Sequence, residues 1–100
     1  MEKIQLFKEI TGEIIKKKYP LYGKALVVKI GATGSISLSP SGEIVAFEGD
    51  PKWALECVLS VLKEMSGNIG VTSAITALKV FSMKHTELRA DIDEVVNKFV

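Results

Sequence analysis

The chain has one cysteine, one histidine and almost no excess of charge of either sign. Each scarcity excludes a class of function. A lone thiol, Cys57, makes no internal disulfide, so a reducing compartment is expected and the protein reads as cytoplasmic. A lone imidazole, His85, assembles no structural zinc site without cysteine partners. With 13 basic and 12 acidic residues the net charge is +1. That balance gives no global pull toward nucleic acid or an anionic membrane, and neither is expected as a partner. No run approaches the ~20 apolar residues of a membrane span. The start, Met1-Glu2-Lys3-Ile4-Gln5, lacks the apolar core of a signal peptide. The nearest approach to a glycine-rich loop, Gly31-Ala32-Thr33-Gly34, precedes an expected strand rather than a helix. No Gly-Lys-Ser/Thr follows it, so it reads as a corner and not as a phosphate cradle.

What is present suffices for a folded core. Hydrophobic residues make up 47% and charged residues 25% of the 100, which excludes the disordered class and fits one domain over residues 1–100.

The first helix is expected from about Glu2 to Lys18. Ile4, Phe7, Ile10 with Thr11, and Ile14 recur at helical spacing, and Leu6 and Ile15 widen the stripe. Pro20 is expected to stop it, because the residue before proline is pushed out of helical geometry. Strand one is read at Lys24–Ile30, where Ala25-Leu26-Val27-Val28 is continuously apolar. Strand two is Ser35–Ser39, with Ile36 and Leu38 on one side. Pro40-Ser41-Gly42 is a tight turn into strand three, Glu43–Glu48. A helix follows from Asp50, a good N-cap ahead of Pro51. Trp53, Leu55, Cys57, Val58, Leu59, Val61, Leu62 and Met65 cover most of its surface, and Gly67 is placed to end it.

After a short connection, Asn68–Val71, a third helix is read from Thr72 or Ser73, with Ile75, Leu78 and Phe81 as its stripe. A strand over Leu78–Met83 competes, because Leu78, Val80 and Ser82 alternate with Lys79, Phe81 and Met83. Thr86 is the expected cap of a fourth helix with Leu88, Ile92, Val95, Val96 and Phe99 inward. The fold class is α+β: an N-terminal helix, a small antiparallel sheet of two or three strands, then two or three helices packed on one sheet face. The order helix, strand, strand, helix, with Gly42-Glu43-Ile44-Val45-Ala46 running into Gly49-Asp50-Pro51, resembles the opening half of roadblock-type domains. That resemblance implies three further strands, which residues 66–100 do not plainly offer, and no function is carried over from it.

Candidate reactive residues each have a bland reading. Cys57 lies about two turns into its helix, beyond the helix end that lowers thiol pKa values, and reads as a buried small hydrophobe. His85 stands near a helix boundary with no nucleophile placed beside it. Lys16-Lys17-Lys18, with Tyr19 and Tyr22, suits phosphate contacts, but a lysine run closing a helix is also what the helix dipole favours. Asp91, Asp93 and Glu94 lack calcium-loop spacing and read as a solvated face. The apolar surplus on the second helix suggests an interface, with Trp53, Leu55, Val58 and Leu62 as candidates.

The leading expectation is a non-enzymatic binding or assembly module that self-associates as a homodimer, with no cofactor, metal or catalytic residue assigned. One alternative is a small-molecule or lipid-binding domain with an apolar pocket between sheet and helices. The other is a nucleic-acid-binding, helix-turn-helix-like domain, in which Val71–Ile75 begins a recognition helix.

Overall fold

A computed structural model describes residues 2–99. Met1 and Val100, the outermost positions of the expected domain, lie outside the described residues. The fold is mixed α and β and mostly helical. In order it comprises α1 (Lys3–Tyr22), α2 (Lys24–Ala32), β1 (Ile36–Leu38), β2 (Ile44–Phe47), α3 (Pro51–Lys84) and α4 (Arg89–Asn97). A single 3-10 turn, Thr86–Leu88, leads into α4.

α1 buries Leu6, Phe7, Ile10, Thr11, Ile14 and Ile15, the stripe that helical spacing dictates; Ile4 at its start is half exposed. It does not stop at Lys18. Pro20 lies inside it, because a proline near the end of a helix deletes only one backbone hydrogen bond. The stop is Gly23, whose N–H donates to the Tyr19 carbonyl at 2.7 Å.

The expected strand Lys24–Ile30 is instead α2. Leu26 and Ile30, four residues apart, are fully buried, whereas Val28 faces solvent at 68% exposure. In so short an apolar run, periods of 2 and 3.6 are hard to separate, and packing decided between them. The sheet therefore has two strands, not three. β1 and β2 pair antiparallel, Ile36 opposite Phe47 and Ser37 opposite Ala46, with a register shift between Ser37 and Leu38. The turn between them closes as expected, through Gly42 N–H to the Ser39 carbonyl at 2.9 Å. It rests on α1, where the Tyr19 hydroxyl donates to the Pro40 carbonyl at 3.3 Å.

α3 starts where Asp50-Pro51 predicts it, the Asp50 carboxylate accepting from the Lys52 N–H at 2.9 Å. It is two helical arms joined at Gly67, the one residue inside it with non-helical geometry (φ 66°, ψ −153°). The expected connection Asn68–Val71 is helix, and so is Leu78–Met83. Gly23 has nearly the same conformation (φ 59°, ψ −142°). That region is sterically closed to residues with a Cβ, so each corner turns a helix within one residue because a glycine stands there. The three further strands implied by the roadblock resemblance are absent from residues 66–99, which hold α3, the 3-10 turn and α4.

The core is continuous across these elements. Leu6, Ile10 and Ile15 of α1, Leu26 and Ile30 of α2, Leu55, Leu59, Leu62 and Leu78 of α3, and Leu88 and Ile92 all have essentially no exposure. Ile36, Leu38, Ile44 and Phe47 bring the sheet onto it.

Candidate functional site

The residues singled out from the sequence end up in different places. Leu55, Val58 and Leu62 are fully buried in the chain's own core, so docking on this fold does not reach them. The reason is that α3 packs against both α1 and α4 and these three residues lie on its inward faces, while Trp53, Ser60, Lys63 and Glu64 stay exposed. Trp53 is 44% exposed and its indole lies against the backbone of Gly49, just beyond β2. Cys57 is a half-buried free thiol. His85 packs its ring on Phe81, centroids 4.4 Å apart. Among the described residues, no three of His, Cys, Asp and Glu gather in a way that would hold a metal.

Gly31–Gly34 sits at the C-terminal end of α2. The Thr33 and Gly34 N–H groups donate back to the Ile30 and Gly31 carbonyls, and the Thr33 hydroxyl also donates to the Ile30 carbonyl. Donors turned inward at the negative end of a helix dipole make no anion cradle. The hydroxyls of Thr72 and Thr76 are likewise taken by carbonyls one turn back.

Of the acidic residues near the C-terminus, Asp91 and Glu94 are engaged in ion pairs, while Asp93 is exposed. Lys52 bonds Glu94 at 2.8 Å and lies 3.9 Å from Asp91, while Lys3 approaches Asp91 at 3.5 Å. Lys98 meets Glu56 at 2.7 Å. The hydrogen bond from Lys52, and then its charge, hold the Glu94 carboxyl below the ordinary carboxylate range. The same hydrogen bond to Glu94 raises the Lys52 ammonium above the ordinary lysine value; the Glu94, Asp91 and Asp50 charges reinforce it. These pairs hold α4 against the N-terminal ends of α1 and α3.

The opposite end of α1 is built differently. Because the helix runs to Tyr22, Lys16, Lys17 and Lys18 stand before its last turn and do not cap it. From Ile14 to Gly42 the chain contains no aspartate or glutamate but holds Lys16, Lys17, Lys18, Lys24 and Lys29. That acid-free block is legible in the sequence and is hidden by a net charge taken over the whole chain. Of the five, only Lys29 has a carboxylate partner among the described residues, Glu64 at 2.7 Å. Lys18 donates to the Ser73 hydroxyl at 2.6 Å.

Beside this corner runs an open groove of about 540 Å³ between α1 and the hairpin turn, lined by Lys8, Gly12, Lys16, Tyr19, Gly42 and Ile44 among others. At the sheet, Val45 is 63% exposed and Ala46 is exposed, and no described strand pairs with the outer edge of β2. Set beside known proteins, the chain matches no family model, no curated protein and no solved structure. No described helix is long and apolar enough to cross a membrane.

Proposed function

We propose that this chain is a non-enzymatic assembly module whose partner is a second copy of itself, joined through the outer edge of β2. The observation that carries the reading is the composition of that edge. Ile44-Val45-Ala46-Phe47, between Glu43 and Glu48, is itself entirely apolar and free of proline, and no described strand covers its outer side. Natural sheets ordinarily blunt such an edge, since its free N–H and C=O groups template pairing with another strand. A two-stranded sheet is also small for independent stability, and addition of strands strengthens it.

Antiparallel edges are self-complementary about a two-fold axis, so pairing β2 with β2 makes one four-stranded sheet and a closed dimer. Trp53, half exposed in the first turn of α3 and against Gly49, would add aromatic area to an interface on this side. Light scattering at micromolar concentration tests the reading. A dimer mass for the wild type and a monomer mass for Val45→Lys, with unchanged circular dichroism, are expected. A monomer mass for the wild type at every concentration overturns it.

A second reading rests on the groove between α1 and the hairpin. Its two lysines above Gly12 and Ile44 suit a small amphiphile carrying one anionic group. Saturable chemical-shift changes at Gly12, Tyr19 and Ile44 on titration with a medium-chain fatty acid support it; unchanged spectra exclude it.

A further inference from the structure

We propose that the corner between α1 and α2 docks on the surface of an anionic lipid bilayer. Leu21 enters the interfacial region, and Lys17 and Lys24 meet the lipid phosphates, with Lys16 at the flank.

The first support is the distribution of charge. α1 has 20 residues, so it is about 30 Å long, close to the 33 Å greatest extent of the molecule. Its start lies at the Asp91 cluster and its end at the lysines, which places the paired and unpaired charges at opposite ends of the protein. The acid-free block forms the second end. Three carboxylates border it, Glu13 and Glu43 in sequence and Glu64 in space. Glu64 is occupied by Lys29, Glu43 lies with Lys16 along the groove beside the hairpin, and Glu13 shares a groove with Lys17 on the α3 side of α1. Lys24 has no carboxylate partner among the described residues.

The second support is the aliphatic residues set among these lysines. Leu21 is 71% exposed and Val28 is 68% exposed. Lys17 and Leu21 are four residues apart on α1, and Lys24 and Val28 are four apart on α2, so each pair shares a helix face. Tyr22, next to Leu21, is half-buried, with an apolar ring and a polar tip of the kind enriched at membrane interfaces, whereas Tyr19 is turned to the hairpin. Leu26 and Ile30 tie the other side of α2 into the core, so the corner is presented on a rigid base.

Nucleic acid would satisfy the lysines but offers no apolar phase for Leu21 and Val28. An interfacial bilayer layer satisfies both, at depths that an amphipathic surface helix reaches. This is attachment to a surface; no described helix is long and apolar enough to span a bilayer.

Vesicle cosedimentation tests the proposal, with phosphatidylcholine vesicles made with and without phosphatidylserine. The wild type is expected to bind only the anionic vesicles, and more weakly as salt is raised. Each lysine near such a surface contributes about a fivefold increase in partitioning. Lys17→Gln combined with Lys24→Gln therefore lowers binding more than about tenfold, and Leu21→Ser alone lowers it about tenfold. Lys63→Gln with Lys79→Gln removes the same charge elsewhere and leaves binding within about twofold. Circular dichroism and thermal melting establish that every variant is folded. Absence of wild-type binding at low salt overturns the proposal, as does an equal loss from both lysine pairs. Insensitivity to Leu21→Ser, or binding of duplex DNA that Leu21→Ser leaves intact, also overturns it.

Discussion

The two ends of α1 carry the same residue type to different purposes. At the start, Lys3 joins Lys52 and Lys98 in meeting Asp91, Glu94 and Glu56, and the ions hold one helix against another. At the far end Lys16, Lys17 and Lys24 meet no carboxylate, and Leu21 beside them points into water. The difference teaches that net charge says little about partners. A chain at +1 overall contains one end whose charges are internally balanced and another whose charges are not.

The sharpest break of this comparison is at the paired end. Ile92 is fully buried beneath α4, and Ile92→Ala should cost about 2–5 kcal/mol through lost burial and a residual cavity. Leu21→Ser at the other end should change stability by no more than about 0.5 kcal/mol. Urea denaturation of the two variants side by side measures both; comparable losses would erase the distinction between a structural end and a free one.

The helix corners sharpen it next. Gly23 stands at the unpaired end and Gly67 within α3, both at positive φ. An added Cβ meets no atom within 4 Å at either site, so the penalty is purely conformational. Gly23→Ala and Gly67→Ala should each destabilise by about 1–3 kcal/mol. Values near zero in thermal melts would mean that the corners bend without the glycine.

Midway along α1, the buried Thr11 hydroxyl has no hydrogen-bond partner among the described residues. Thr11→Val keeps the shape and removes the stranded polar atom, so stability should rise by about 1 kcal/mol. A fall, measured by the same urea midpoint, would show that the hydroxyl is satisfied.

The smallest effect is electrostatic and confined to the paired end. Glu94 titrates below the ordinary carboxylate range, so its contribution is present above that range and fades as pH falls through the lowered value. Lys52 titrates above the ordinary lysine value, so its contribution is present below that value and fades as pH rises through the raised one. The melting difference between wild type and Glu94→Gln should therefore be widest near neutrality and shrink toward both extremes. A difference independent of pH would show that packing, and not the ion pair, holds α4.

Much of the architecture was legible where local chemistry is unambiguous. Asp50-Pro51 marks the start of α3 and Pro40-Ser41-Gly42 marks the hairpin turn, while Gly67, expected to end that helix, bends it instead. The six buried residues of α1 follow from spacing alone. The misreadings fall where two local rules compete. Lys24–Ile30 carries β-branched residues that suit a strand and a Leu26–Ile30 spacing that suits a helix, and only burial against α1 and α3 selects the second. Pro20 looks like a stop because its geometric conflict is local, yet the helix continues one more turn to the glycine. Of the candidate interface residues, Trp53 stays accessible while Leu55, Val58 and Leu62 do not, since the path of α4 over α3 is not written in the spacing of α3.

What the linear order of residues determined is the capped start of α3, the buried stripe of α1, the hairpin, and the acid-free stretch from Ile14 to Gly42. Tertiary structure alone decided which apolar side chains remain at the surface and which lysines find a carboxylate. Both depend on residues tens of positions apart meeting in space, as Lys52 meets Glu94, and no periodicity along the chain encodes that meeting.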